Sequence, residues 1–90
     1  MIDVVYAEEF LKDLKKLKGT AYYTGIKTLC FDIIPSLQTV SGISSLKKMK
    51  GFDGYYRIRK GEYRIGIAIK DSKVVFLRCL PRKDIYKYFP

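Results

Sequence analysis

The stretch YYRIRKGEYRIGIAIKDSKVVFLRCLP at positions 55–81 decides the fold. Tyr55-Tyr56-Arg57-Ile58-Arg59 ends at Lys60-Gly61, Tyr63 to Lys70 ends at Asp71-Ser72, and Lys73 to Leu80 ends at Pro81. Each segment is rich in β-branched and aromatic residues and each boundary carries turn residues, so the stretch reads as successive strands of an antiparallel meander. Alternation sorts the side chains. Tyr63, Ile65, Ile67 and Ile69 share a face that needs burial, while Arg64, Gly66, Ala68 and Lys70 share the opposite one. On the strand before, Arg57 and Arg59 point away from Tyr56 and Ile58. Arg57, Arg59 and Arg64 are therefore expected on one open face, with Gly66 and Ala68 leaving it shallow enough for a bulky ligand. The last strand is apolar on both sides, at Val74 and Phe76 and at Val75 and Leu77, which leaves Arg78 either in the cluster or outside it.

Toward the N-terminus, Ile2-Asp3-Val4-Val5-Tyr6 reads as a short strand. Glu8 and Glu9 suit a helix start, and Phe10, Leu11, Leu14 and Leu17 follow at helical spacing, with Lys12, Asp13, Lys15, Lys16 and Lys18 on the solvent side. Gly19 closes this helix and Thr20 caps the next, whose stripe is Tyr22, Ile26, Leu29, Cys30, Ile33 and Ile34 and which Pro35 ends. Ser36–Ser45 is a connecting loop, and the tail Arg82–Phe89 fits either a short helix or a final strand. The expectation is one α+β domain over residues 1–90, ordered β-α-α-β-β-β. Its antiparallel sheet carries a two-helix hairpin on one face and an open basic surface on the other.

The net charge of +9 is not spread evenly. Residues 1–45 balance Lys12, Lys15, Lys16, Lys18 and Lys27 against Asp3, Glu8, Glu9, Asp13 and Asp32; the whole excess falls in residues 46–90. Every arginine lies between positions 57 and 82. Segregated charge of this kind favours a polyanionic partner, and arginine's planar fork suits phosphate better than mere solubility requires. Tyr55, Tyr63, Tyr86 and Tyr88 border the basic region, a combination suited to single-stranded RNA, although Tyr63 belongs to the isoleucine face. The chain has no histidine, and Cys30 and Cys79 stand far apart in apolar runs. Zinc is excluded on donor count, and buried free thiols in a reducing cytoplasm are expected. No apolar run is long enough to span a bilayer and no leader is evident, so a cytoplasmic protein with no membrane partner is expected.

An ordered set of blocks resembles the RelE/ParE toxin superfamily of type II toxin–antitoxin systems. These are Leu46-Lys47-Lys48-Met49-Lys50-Gly51, Tyr56-Arg57-Ile58-Arg59, Gly61-Glu62-Tyr63-Arg64-Ile65, Val74-Val75-Phe76-Leu77-Arg78 and Arg82-Lys83-Asp84-Ile85-Tyr86. Glu9-Phe10-Leu11-Lys12-Asp13-Leu14 looks like that family's first helix, so the resemblance covers nearly the whole chain. It implies a toxin that cleaves mRNA, often on the ribosome, and is silenced by a cognate antitoxin. In the RelE-like branch the active site would fall here on Arg57, Arg59, Arg64, Arg82 and Tyr86, with Lys47, Lys48, Lys50, Lys60, Arg78 and Lys83 holding RNA around it. Pro81 departs from members that place a histidine before the arginine. Two alternatives stand beside this reading: a ParE-like inhibitor of DNA gyrase, and an inactive relative that binds only antitoxin or nucleic acid.

Without histidine, the expected mechanism needs neither cofactor nor metal: the RNA's own 2′-OH attacks the phosphate, leaving a 2′,3′-cyclic phosphate and a 5′-OH. The arginines would stabilise charge on the equatorial oxygens and Arg82 the leaving 5′-oxygen. Tyr86, Lys50 or Lys60 is a candidate to assist the 2′-OH.

Overall fold

In a computed structural model, which describes residues 2–90, the meander holds one more strand than the sequence suggested. β2 (Leu46–Lys48), β3 (Tyr55–Lys60), β4 (Tyr63–Lys70) and β5 (Lys73–Pro81) pair antiparallel in succession. β1 (Asp3–Tyr6) lies beside β5, giving the order β1-β5-β4-β3-β2. β2 escaped notice because Leu-Lys-Lys carries no strand signature of its own and owes its conformation to pairing with β3.

β1 runs parallel to β5, so the sheet is mixed and not wholly antiparallel. Counting reversals explains the difference. If each helix and strand turns back on the one before, an even number of reversals separates β1 from β5, and overlooking β2 makes that number odd.

The faces of β3 and β4 fall as their alternation predicts. Ile58, Ile65 and Ile67 join Val74, Phe76 and Cys79 in a core closed by Phe10, Leu14, Leu17, Ile26, Cys30 and Ile34 from the helical side. α1 (Glu8–Lys15) packs on β5. Asp13, expected in solvent, is instead buried at 5 % exposure. Its Oδ2 accepts Arg78 Nε at 2.7 Å and the Cys79 main-chain N–H at 3.0 Å, and Oδ1 accepts Arg78 Nη2 at 3.2 Å. β1 ends opposite Phe76, so the β5 residues beyond it have no strand on that side. The Asp13 carboxylate takes the place of the missing strand there, and Leu77 forms the bulge across from Gly66/Ile67.

The second helix does not stop at Pro35. α2 (Tyr23–Thr28) leads into a π-helical turn (Leu29–Ile33) and then α3 (Ile34–Ser36). The wider turn follows from the proline. The Ile34 N–H bonds the Leu29 carbonyl, and Pro35 has no N–H to offer the Cys30 carbonyl. That orphaned acceptor is met from β1: Tyr6 Oη donates to Cys30 O at 2.7 Å. Tyr6 also stacks between Phe31 and Phe76.

The tail is a helix, α4 (Arg82–Tyr88), and it lies on the face expected to be open. Ile85 and Phe89 form a second small core with Met49, supported by Tyr55, Leu77 and Leu80. The shallowness at Gly66 accommodates the protein's own ring. A Cβ on Gly66 would stand 2.8 Å from Phe89, inside any real contact distance.

Two predictions follow from this packing. Tyr6→Phe should destabilise by about 1–3 kcal/mol in urea unfolding, because it strands a carbonyl that no backbone donor can reach. Burial raises the pKa of both thiols, Cys79 being pushed up from 9.0 to about 12, and it also raises that of the Tyr6 phenol. Neither cysteine should react with a thiol reagent at neutral pH until the protein unfolds. The folded state holds these protons more tightly than the unfolded chain. Stability should therefore be complete below about pH 9 and decline as pH rises toward 12.

Candidate functional site

Cross-strand register brings the basic side chains together. Lys47 of β2 lies opposite Arg57 of β3, and Arg59 lies opposite Arg64 of β4. Like charges directly opposite repel, so these pairs cost stability unless something neutralises or anchors them. Arg64 is anchored. It is 9 % exposed, and its Nη1 donates to the carbonyls of Gly61 at 2.9 Å and Tyr63 at 3.0 Å. The first carbonyl belongs to the β3–β4 turn, where Gly61 takes φ +60°, and the second to the first residue of β4. Arg64 is thus a fixed, largely buried cation and not the solvated residue that alternation alone suggests.

α4 completes the arrangement from above. The Arg82 main-chain N–H donates to the Glu62 carbonyl at 2.8 Å, which fixes the start of the helix on the same turn. Arg82 and Tyr86 stand one helical turn apart and project over the sheet together. Tyr86, 60 % exposed, takes the Arg57 guanidinium over its ring at 5.4 Å. The result is a pocket of about 350 Å³ lined by Arg57, Arg59, Arg64, Arg82 and Tyr86 together with Lys47 and Ser45. Ser45 was not anticipated. It adopts φ +59°, and its carbonyl accepts the Arg59 N–H at 3.3 Å.

The remaining basic residues fall elsewhere. Arg78, one of the expected RNA-binding side chains, lies outside the pocket in its ion pair with Asp13, and that bond raises its pKa further. The bulge at Leu77 turns Arg78 toward α1, which strict alternation does not foresee. Lys60 runs along Gly25 on the helical side of the sheet. Lys48 reaches Asp53 at 3.2 Å, both exposed. Lys50 is exposed beyond β2 and lines no wall of the pocket. Lys83 borders a neighbouring groove of about 710 Å³, which shares Arg82 and Tyr86 with the pocket. Of the groups considered to assist a 2′-OH, only Tyr86 stands at the pocket.

Arginines dominate the walls and no carboxylate is among them, so the pocket is built for an anion with several oxygens, as a phosphodiester is. Among the described residues no group of histidine, cysteine, aspartate or glutamate side chains converges as a metal site. None of their helices is long and apolar enough to cross a membrane.

No family model matches the chain. Its sequence is 42 % identical to Toxin RelE3 of Methanocaldococcus jannaschii, an alignment covering 97 % of this chain and 98 % of the relative. The fold matches the RelB–RelE antitoxin–toxin complex of Methanococcus jannaschii, with a TM-score of 0.75 and 40 % identity over 96 % of this chain and 99 % of that one. The RelBE2 complex of Mycobacterium tuberculosis shares the fold at a TM-score of 0.69 and 22 % identity, covering 90 % of this chain and 98 % of its counterpart. Carried by near-complete coverage at this identity, the chain belongs to the RelE family, the toxins of type II toxin–antitoxin systems.

Proposed function

We propose that this toxin is an endoribonuclease that cleaves mRNA on the ribosome by attack of the substrate's own 2′-OH, without a metal ion. The observation that carries the reading is the convergence of Arg57, Arg59, Arg64 and Arg82 with Tyr86 on one pocket. Two strands and a helix supply the members, and the protein bears the repulsion among the arginines. Such an arrangement makes sense when an anion completes it.

The chemistry requires little more than positioning and charge. The 2′-oxygen forms a bond to phosphorus as the bond to the 5′-oxygen breaks; the proton lost from the 2′-OH and the one gained by the leaving oxygen balance. Arg64, held by its two carbonyls, and Arg57, held against Tyr86, are pre-oriented, so charge growing on the phosphate meets dipoles that need no reorganisation. Arg82, on the wall that the pocket shares with the neighbouring groove, stabilises the departing oxygen. A guanidinium keeps its charge in proteins, which suits Arg82 to charge stabilisation more than to proton donation. Tyr86 is the candidate to assist the 2′-OH. The resident anion in the resting cell is proposed to be part of a cognate antitoxin. Relatives that share this fold are solved as toxin–antitoxin complexes, and an acidic or amphipathic segment would mask the cationic pocket.

Cleavage is tested by mapping products from mRNA-programmed ribosomes. Fragments should end in a cyclic phosphate and begin with a free 5′-OH, and a 2′-deoxy residue at the cut site should block the reaction. Arg82→Ala should lower the single-turnover rate about 10²–10³-fold, and Tyr86→Phe by less, because the arginine change removes a full charge from the transition state. Normal cutting of the 2′-deoxy substrate would exclude the mechanism. Arg64 separates anchoring from charge. Arg64→Ala should both abolish cleavage and lower stability by about 1–3 kcal/mol, since it removes the side-chain hydrogen bonds to the Gly61 and Tyr63 carbonyls. Arg59→Ala should reduce cleavage with stability unchanged or slightly raised.

A further inference from the structure

The groove beside the cationic pocket is not explained by phosphate recognition. It runs over the end of the sheet, where Tyr22, just ahead of α2, meets Tyr63 of β4 with ring centroids 4.9 Å apart and planes tilted by 54°. Pro81, the register partner of Tyr63, continues the apolar wall. Tyr22 presses on the β3–β4 turn so closely that a Cβ on Gly61 would come within 3.1 Å of its ring, yet the residue remains 36 % exposed. Lys83 and Glu62 also line the groove, and the Glu62 carboxylate has no ion-pair partner among the described residues. The groove opens directly into the pocket, because Arg82 and Tyr86 line both.

We propose that this groove is a nucleobase subsite, taking the base of a nucleotide adjacent to the phosphate held by the arginines. The inference rests on the reading of the pocket as an RNA site. Rigid aromatic faces beside a phosphate pocket suit a splayed-out base, and stacking of this kind tolerates any base. The Glu62 carboxylate is placed to accept the N–H donors that every nucleobase carries on its pairing edge. The two neighbouring sites differ in kind: four arginines converge on the pocket with a single tyrosine, whereas three tyrosines and a proline line the groove beside Arg82, Lys83 and Glu62.

The test is anisotropy of short labelled single-stranded RNA at low salt, made uncleavable by a 2′-deoxy residue. It is compared with the same oligonucleotide carrying an abasic site at each flanking position in turn. One abasic position should weaken binding roughly tenfold, the range expected for loss of one stacked base. Tyr22→Leu, confirmed as folded by thermal unfolding, should bind the parent RNA only as well as wild type binds that abasic RNA. Tyr22→Phe should restore full affinity and guards against a merely misfolded variant. Equal affinity for the parent and every abasic oligonucleotide, with Arg57→Ala still abolishing binding, would overturn the subsite and leave the RNA site standing. Binding that is absent in wild type, or indifferent to Arg57→Ala, would overturn both.

Discussion

Phe89 lies against the bare backbone of Gly66, and the geometry of the site depends on that seat. No side chain larger than hydrogen fits beneath the ring, so Phe89 seats directly on the strand only because residue 66 is glycine. Ile85 and Phe89 then bury against Met49, and Tyr55 meets Phe89 edge-on at 5.9 Å. The helix so anchored carries Arg82 and Tyr86 at its near end. Without it, Arg57, Arg59 and Arg64 would form a flat basic patch; with it, they floor a walled cavity.

A cavity lined by cations is under electrostatic strain, and the surrounding framework has to resist it. The resistance is mostly covalent geometry and hydrogen bonding. Arg64 is tied to the Gly61 and Tyr63 carbonyls, and Arg82 is tied through its backbone to Glu62. Arg57 shares the face of an aromatic ring. On the opposite side of β5, Asp13 joins the first helix to the strand through a carboxylate that serves both a guanidinium and a main-chain N–H. Asp13, the one buried carboxylate among the described residues, thus serves the scaffold, and the pocket itself has none.

Much of this was legible in the sequence because period-two alternation is a strong signal wherever one face is buried. The isoleucines of β4 fixed the core face, and Arg57, Arg59 and Arg64 followed onto the other. What escaped depended on non-local partners. β2 is a strand only by pairing, and its omission inverted the expected direction of β1. The bulge at Leu77 redirected Arg78, and nothing local marks a bulge there. Asp13 sat among lysines on a helix and read as solvated, since its partners lie 65 and 66 residues away. The second small core was hidden for the same reason: Phe89 and Gly66 each look unremarkable until the tail folds back.

The bond from Tyr6 to the Cys30 carbonyl also bears on how such a sequence drifts. Pro35 creates the need for that bond and Tyr6 meets it, though the residues stand on different elements. Replacing the proline by a residue with an N–H would restore a main-chain donor and make the phenol dispensable. Losing the tyrosine first would leave the helix with an unmet carbonyl beside the core. The order of substitution therefore matters: changing position 35 first keeps the Cys30 carbonyl bonded at every step, whereas changing position 6 first leaves it bare.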